Sequence, residues 1–225
     1  EVEPYADVVP GRDSDAATVL ASAQFVDEFG EALAHLAEAV AGASVPQRIL
    51  SGPHGCGKST LLTVLYDLAD RPELRTRSPH QAVRTAASYL QGAHLVAVYV
   101  DPAQSEAADF DAAVREGLLA ASESVASAGV PASEWEAAVA AGYALEHAIA
   151  LLPPGGRLVL FVDGLSSWLR TVERDAARGA VAALQRCGEL ATGTSLSVLV
   201  ALDEEHLESG GAFGALLRWY QVEYL

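Results

Sequence analysis

The run Ser51-Gly52-Pro53-His54-Gly55-Cys56-Gly57-Lys58-Ser59-Thr60 holds the residue types and spacing that could do chemistry. It follows the pattern G-x-x-x-x-G-K-[ST], a loop that cradles phosphates. Gly52, Gly55 and Gly57 let the backbone curl tightly and turn several N–H groups toward one point. Lys58 would reach β- and γ-phosphates as a compact cation, and the Ser59 hydroxyl is the expected Mg²⁺ ligand. Pro53, His54, Cys56 and Thr60 complete the loop. A helix starting at this point would add the positive end of its dipole to the same anion site. Composition sharpens the reading. Of the 14 basic residues thirteen are Arg, and the single Lys is Lys58.

Two acids at strand ends extend the candidate site. Arg157-Leu158-Val159-Leu160-Phe161-Val162-Asp163 is apolar without alternation, as a parallel strand buried on both faces requires. Downstream of a phosphate loop, Asp163 reads as the acid that holds Mg²⁺ directly or through water; the competing reading is an ordinary helix cap. Ser195 to Leu202 is a second buried run and ends in Asp203, a candidate phosphate sensor. The expected ligands are therefore ATP, on Gly52 through Thr60 with Asp203, and Mg²⁺, on Ser59 and Asp163; Lys58 and Asp163 would carry any catalysis.

The elements that must position these residues can be read around them. Gln47-Arg48-Ile49-Leu50 is a short strand before the loop, and Leu61 to Ala69 a helix after it. Upstream, residues 1–13 form an irregular lead-in, Asp13, Ser14 and Asp15 offer caps, and a helix over 16–40 aligns Val26, Phe29, Leu33, Leu36 and Val40 on one stripe. Downstream, a helix over 79–91 precedes the strand His94 to Asp101. Residues 106–127 and 133–152 read as two helices, the second opened by a Ser133-x-x-Glu136 capping box and buried through Trp135, Val139, Leu145, Ile149 and Leu152. A helix over 169–190 packs through Val172, Ala176, Ala180, Leu184 and Cys187, and the tail from Trp219 to Tyr224 offers a last strand. The alternation predicts an α/β fold, a mostly parallel sheet with helices on both faces. The whole chain, 1–225, reads as one P-loop NTPase domain, with 1–45 as lead-in and helix and 102–156 as a helical insertion that lengthens the Lys58-to-Asp163 spacing. A chain that starts at Glu1 and has no Met reads as a fragment of a longer protein.

Charge and cysteine use bound the function class. A net charge of −16 repels nucleic-acid phosphates, so broad gripping of DNA or RNA is not expected. A basic cluster, Arg71, Arg75, Arg77 and Arg84, is either a solvated surface or a contact for phosphates or a partner. Cys56 and Cys187 do not pair at a redox or metal spacing, and the six His are scattered, which together with the lack of a long apolar run predicts a reducing, cytoplasmic setting away from membranes.

One intervening strand between loop and Asp163 suits the AAA+/ASCE-like division of P-loop NTPases, which places another strand between those two in space. The chain also resembles the large P-loop ATPases of BREX and Pgl phage-defence systems, the BrxC/PglY type, through Ile49 to Ser59 and above all Leu158-Val159-Leu160-Phe161-Val162-Asp163-Gly164-Leu165-Ser166-Ser167-Trp168-Leu169. The resemblance implies a role in antiviral defence, with protein partners of a defence complex or copies of the chain. The family places Glu after the Asp of this motif, where it polarises the attacking water; here Gly164 stands there. Loss of that help is worth about 10²–10⁴ in rate. Glu173, Glu204 and Glu205 are candidate substitutes, and Arg170, Arg174, Arg178, Arg186 and Arg218 candidate arginine fingers. The sequence thus predicts an ATP-binding switch or assembly module with weak or partner-dependent hydrolysis. The alternatives are an active motor with another base, and a small-molecule phosphotransferase.

Overall fold

Runs of Val, Leu, Ile and Phe with no polar alternation can only be strands covered on both sides, and periodic Ala/Leu stretches supply the covering helices. The computed structural model describes residues 27–42, 45–76, 80–208 and 212–225. The lead-in, the offered caps at 13–15, the first half of the 16–40 helix and Arg77 lie outside them. In chain order the elements are α1 (Asp27–Ala41), β1 (Gln47–Gly52), α2 (Lys58–Asp70), a 3₁₀ turn (Pro72–Thr76), α3 (Gln81–Tyr89), β2 (His94–Val100), α4 (Phe110–Ala120), α5 (Ser122–Ser127), α6 (Ala132–Ala140), α7 (Ala144–Ala150), β3 (Gly156–Val162), α8 (Leu165–Leu169), α9 (Arg174–Gly193), β4 (Leu196–Asp203), α10 (Glu205–Glu208), a second 3₁₀ turn (Ala212–Arg218) and β5 (Gln221–Tyr224).

The five strands form one sheet in the order β2-β3-β4-β1-β5, and every pairing is parallel. β4 lies between the loop strand β1 and the Asp163 strand β3, as the AAA+/ASCE-like reading requires. Alternate strand residues face opposite sides. Leu50, Ala97, Val159, Phe161, Leu199 and Ala201 pack under α1, α2 and α3 with Leu33, Leu36, Leu61 and Leu65. Val96, Val98, Leu158, Leu160, Val198 and Val200 pack on the other face with Phe110, Trp135 and Leu184. Every residue of β4 is buried, whereas the edge strand β5 has none buried. The other edge, β2, is covered where Ser124 Oγ accepts from Ala97 N–H at 3.1 Å.

Two sequence expectations need correction. The two helices expected over 106–127 and 133–152 are four, broken at Ala121 and again before Tyr143, which sits at φ 60 with its ring exposed. The Ser133/Glu136 capping box does not form: α6 starts one residue earlier, on Pro131, and no side chain caps it. Proline already supplies the extended φ/ψ of a cap and moves the helix start ahead of Ser133, which then lies inside the first turn. Trp135 is a core residue, donating its ring N–H to Leu118 O at 2.7 Å. Both cysteines are free, and burial pushes the Cys187 thiol up to about 12.

Candidate functional site

The site lies at the C-terminal ends of β1, β3 and β4, where α2 begins. Gly57 holds the N-cap of α2 at φ 99, and an added Cβ would stand 2.6 Å from the Phe29 ring. Only glycine meets both conditions. No side chain caps the first turn of α2, so its leading N–H groups are left for a ligand. They face a cleft of about 250 Å³ lined by His54, Gly55, Lys58, Ser59, Asp163 and Asp203. A larger hollow of about 490 Å³ lies beside β2, but in its lining Asp70, Asp101, Glu116 and Glu123 outnumber Arg71, so its wall is net negative and disfavours phosphate.

Lys58 is buried and fully engaged. Its ammonium donates to Gly52 O at 3.0 Å and Pro53 O at 2.8 Å, and pairs with Asp203 Oδ1 at 2.8 Å. Asp203 Oδ2 receives Arg170 Nη2 at 2.8 Å, and the same nitrogen reaches Glu205 Oε1 at 2.7 Å. His54, on the exposed loop, stands 3.7 Å from the same Asp203 oxygen. Ser166 Oγ accepts the Asp203 backbone N–H at 2.8 Å and fixes the strand end. Burial pushes the Asp203 carboxyl up, but the hydrogen bond and charge of Lys58, helped by Arg170 and His54, outweigh it and hold the group below the ordinary carboxylate range.

The second constellation centres on Asp163. Ser59 Oγ–H donates to Asp163 Oδ1 at 2.9 Å, Gly164 N–H to the same oxygen at 2.8 Å, and Tyr99 O–H to Oδ2 at 2.7 Å. Burial first, then the charge of Asp163, raises the Tyr99 phenol, so it stays a proton donor. Ser59 and Asp163 are two hard oxygen donors already in contact. Mg²⁺ takes one or two such side chains and completes its shell with phosphate and water, and no group of three or more His, Cys, Asp or Glu able to hold a metal occurs among the described residues. The donor set therefore fits Mg²⁺ bound together with a nucleotide.

Residues 27–201 match the family described as AAA ATPase domain, most of the chain. The chain belongs to that family. No curated protein matches it. No helix among the described residues is long and apolar enough to cross a membrane.

In this AAA ATPase domain strand alternation explains which side chains meet. Tyr99 of β2 with Asp101 just beyond it, Phe161 of β3 with Asp163 just beyond it, and Ala201 and Asp203 of β4 share one parity, and Tyr66 of α2 packs edge-on against both Tyr99 and Phe161. The predicted loop, Asp163 and Asp203 come together in one cleft. Tyr99, Arg170 and Ser166 also belong to the site, and sequence reasoning gave none of them these contacts; the i, i+2 spacing of Tyr99 and Asp101 at a strand end was the available signal.

The substitutes expected for the missing Glu fare poorly. Glu205 is tied to Arg170, Glu173 is an exposed N-cap on α9, and neither they nor Glu204 line the cleft. Among the finger candidates Arg170 points into its own site, Arg178 pairs with Asp175 and Arg186 with Asp111, while Arg174 and Arg218 are exposed. The basic cluster divides similarly. Arg75 turns inward to Leu68 O, Ala69 O and Leu90 O, tying α2 to α3, so it is a structural clamp.

Proposed function

We propose that this domain binds Mg·ATP and works as a nucleotide-dependent switch or assembly module with slow or partner-dependent hydrolysis. The observation that carries the reading is the buried Lys58–Asp203 ion pair. Incoming phosphates compete with Asp203 for Lys58, and Asp203 is passed to Arg170, which already holds its other oxygen. Occupancy of the loop is thereby linked to the end of β4 and to α8 and α10, which carry Arg170 and Glu205 at their edges. Asp203 reads the phosphate through the lysine, since a carboxylate facing phosphate would repel it. Gly52 through Thr60 supply the backbone and His54 the outer wall; Ser59 and Asp163 hold Mg²⁺, which when bound neutralises charge on the β- and γ-phosphates.

Calorimetry with Mg·ATP on wild type and Lys58→Ala, with phosphate release followed in the same samples, tests this. Binding in wild type, lost in the variant, with release far slower than a motor needs, is the expected result. Fast unassisted turnover would remove the switch. The setting we propose is a BREX-like phage-defence assembly in which other proteins or copies of the chain read the nucleotide state, with Arg174 and Arg218 exposed toward such a neighbour. Its support is the resemblance across Leu158 to Leu169. A host relying on such a system should lose phage resistance with Lys58→Ala, and full resistance would discard this setting.

A further inference from the structure

Gly164 cannot deliver a carboxylate to the attacking water, and the space its side chain would fill is taken. Gly164 has φ 64, a left-handed conformation that side chains adopt at a cost. A Cβ added there would collide with the carboxylate of Asp101. A side chain at 164 would be strained by this φ and would have to displace the Asp101 carboxylate, whose oxygen lies where that side chain would begin and whose residue directly follows the neighbouring strand β2.

The sheet puts Asp101 there. β2 and β3 pair in parallel with Val100 opposite Val162, and Asp163 N–H donates to Val100 O at 2.9 Å. Residue 101 therefore leaves β2 level with Asp163. It shares parity with Tyr99, whose hydroxyl is on Asp163 Oδ2, so Asp101 is directed to the same face of the sheet as Asp163 and α2. Its Oδ1 accepts Ala103 N–H at 2.9 Å, which fixes the carboxylate in a tight turn before Gln104. Gly164 lines the nucleotide cleft, and Asp101, which lines the neighbouring hollow beside β2, touches Gly164 from the far side. With no side chain at 164, only the backbone of Gly164 separates this carboxylate from the cleft lining.

We propose that Asp101 is the water-orienting carboxylate of this domain, acting from β2 in the role a glutamate at position 164 would play from β3. The proposal rests on the Mg·ATP reading above. In the step it serves, the water oxygen forms a bond to the γ-phosphorus. The bond from that phosphorus to the β,γ-bridging oxygen breaks, and its electron pair stays on ADP. The water proton passes to Asp101 and then to solvent, so ATP and water yield ADP and phosphate. A carboxylate one methylene shorter than Glu, held by its own turn, aligns water less well than a dedicated Glu, in keeping with a slow switch.

The test uses Asp101→Asn, which keeps the size and the turn acceptor, and Asp101→Glu, which keeps the charge. Three readouts are taken on the full chain: Mg·ATP affinity by calorimetry, single-turnover phosphate release, and retention of Mg·ADP with aluminium fluoride, a mimic of the planar phosphoryl group and its in-line ligands. In Asp101→Asn the affinity should stay within about threefold while release slows about 10²-fold and the fluoride complex is no longer retained. Asp101→Glu should keep release within about tenfold of wild type. Release unchanged in Asp101→Asn overturns the proposal, as does equal loss in both variants, which would mark a structural role. Wild type that binds Mg·ATP but neither releases phosphate nor retains the fluoride complex removes the role of Asp101 and leaves the binding reading intact. Wild type that fails to bind Mg·ATP overturns both.

Discussion

Helix α2 buries a charge near each end, and the two ends treat it differently. At the N-terminus Lys58 has two carbonyls and Asp203 around it, with Arg170 behind. In the last turn Asp67 is fully buried and neither carboxylate oxygen has a hydrogen-bond partner. Both charges oppose the helix dipole, which favours anions at the N-terminus and cations at the C-terminus. The cation at the wrong end is tolerated because polar groups surround it, and an anionic ligand would convert the mismatch into a fit. The acid at the other end has no such prospect, since the core closes over it. The comparison separates a charge held ready for a ligand from a charge that only lowers stability.

Removing Lys58 should have the largest effect on that contrast. Lys58→Ala deletes the cation buried against the loop, and hydrogen bonds to charged groups are worth about 1.5–3 kcal/mol each, so Mg·ATP affinity should fall about 100-fold. Calorimetry reads this directly, and a fall of less than about threefold would mean that Lys58 is as inert as Asp67.

Asp67→Ala should act in the opposite sense and on stability alone. Burial, with the charge of Asp70 adding and Arg71 opposing, raises the Asp67 carboxyl from 3.8 to about 6. The folded state thus holds a proton that the unfolded chain has already lost in this window. The stability this proton confers is complete below 3.8 and is lost as pH rises through about 6. At pH 7 the variant should be more stable than wild type by about 2 kcal/mol, and its melting temperature should fall less between pH 4 and 6 than that of wild type, the raised Asp70 carboxyl accounting for what remains. Equal melting temperatures at pH 7 would show that Asp67 finds compensation, and the contrast between the two ends would collapse. Mg·ATP affinity should not move.

Asp203→Asn tests the readiness of the Lys58 end. It weakens the hold on Lys58 without removing a hydrogen-bonding oxygen, so Mg·ATP should bind about tenfold more tightly while the nucleotide-free protein melts lower. Because the Asp203 carboxyl is held below its ordinary value, its contribution to wild-type stability is present above 3.8 and lost as pH falls through the lowered value, and the variant should lack that acid limb. Weaker binding would instead make Asp203 a direct partner of the nucleotide.

The sequence showed the loop clearly because its function sits in the backbone: Gly57 must take φ 99 and Lys58 must follow it, and both are local facts. The buried strands were legible for a similar reason, since Leu158 to Val162 and Leu196 to Leu202 carry no polar face. What stayed hidden depends on which strands become neighbours. Asp101 was visible as an acid ending a strand, but its position beside Gly164 follows from β2 pairing with β3. Arg170 was visible as one of several arginines, yet its partner Asp203 is 33 residues away and meets it only because β3 and β4 are adjacent. The Ser133 box failed for the reverse reason: a good local signal lost to Pro131 two residues earlier.

Arg170→Ala should produce the smallest change. Arg170 is 45% exposed and its second partner Glu205 is 61% exposed, so solvent screens most of what the pair could contribute. Its influence must pass through Asp203. With Arg170 present, Asp203 divides its charge between two cations; without it, the carboxylate turns wholly to Lys58 and holds it harder against incoming phosphate. Mg·ATP affinity should therefore fall about twofold, opposite in sign to Asp203→Asn. If Arg170 acts only in this way, adding Arg170→Ala to Asp203→Asn should change nothing further, since the charge it was sharing is gone. A double variant that loses affinity again, or loses phosphate release while binding is kept, would place Arg170 on the phosphate itself and make the Lys58 end of α2 a site with two cations rather than one.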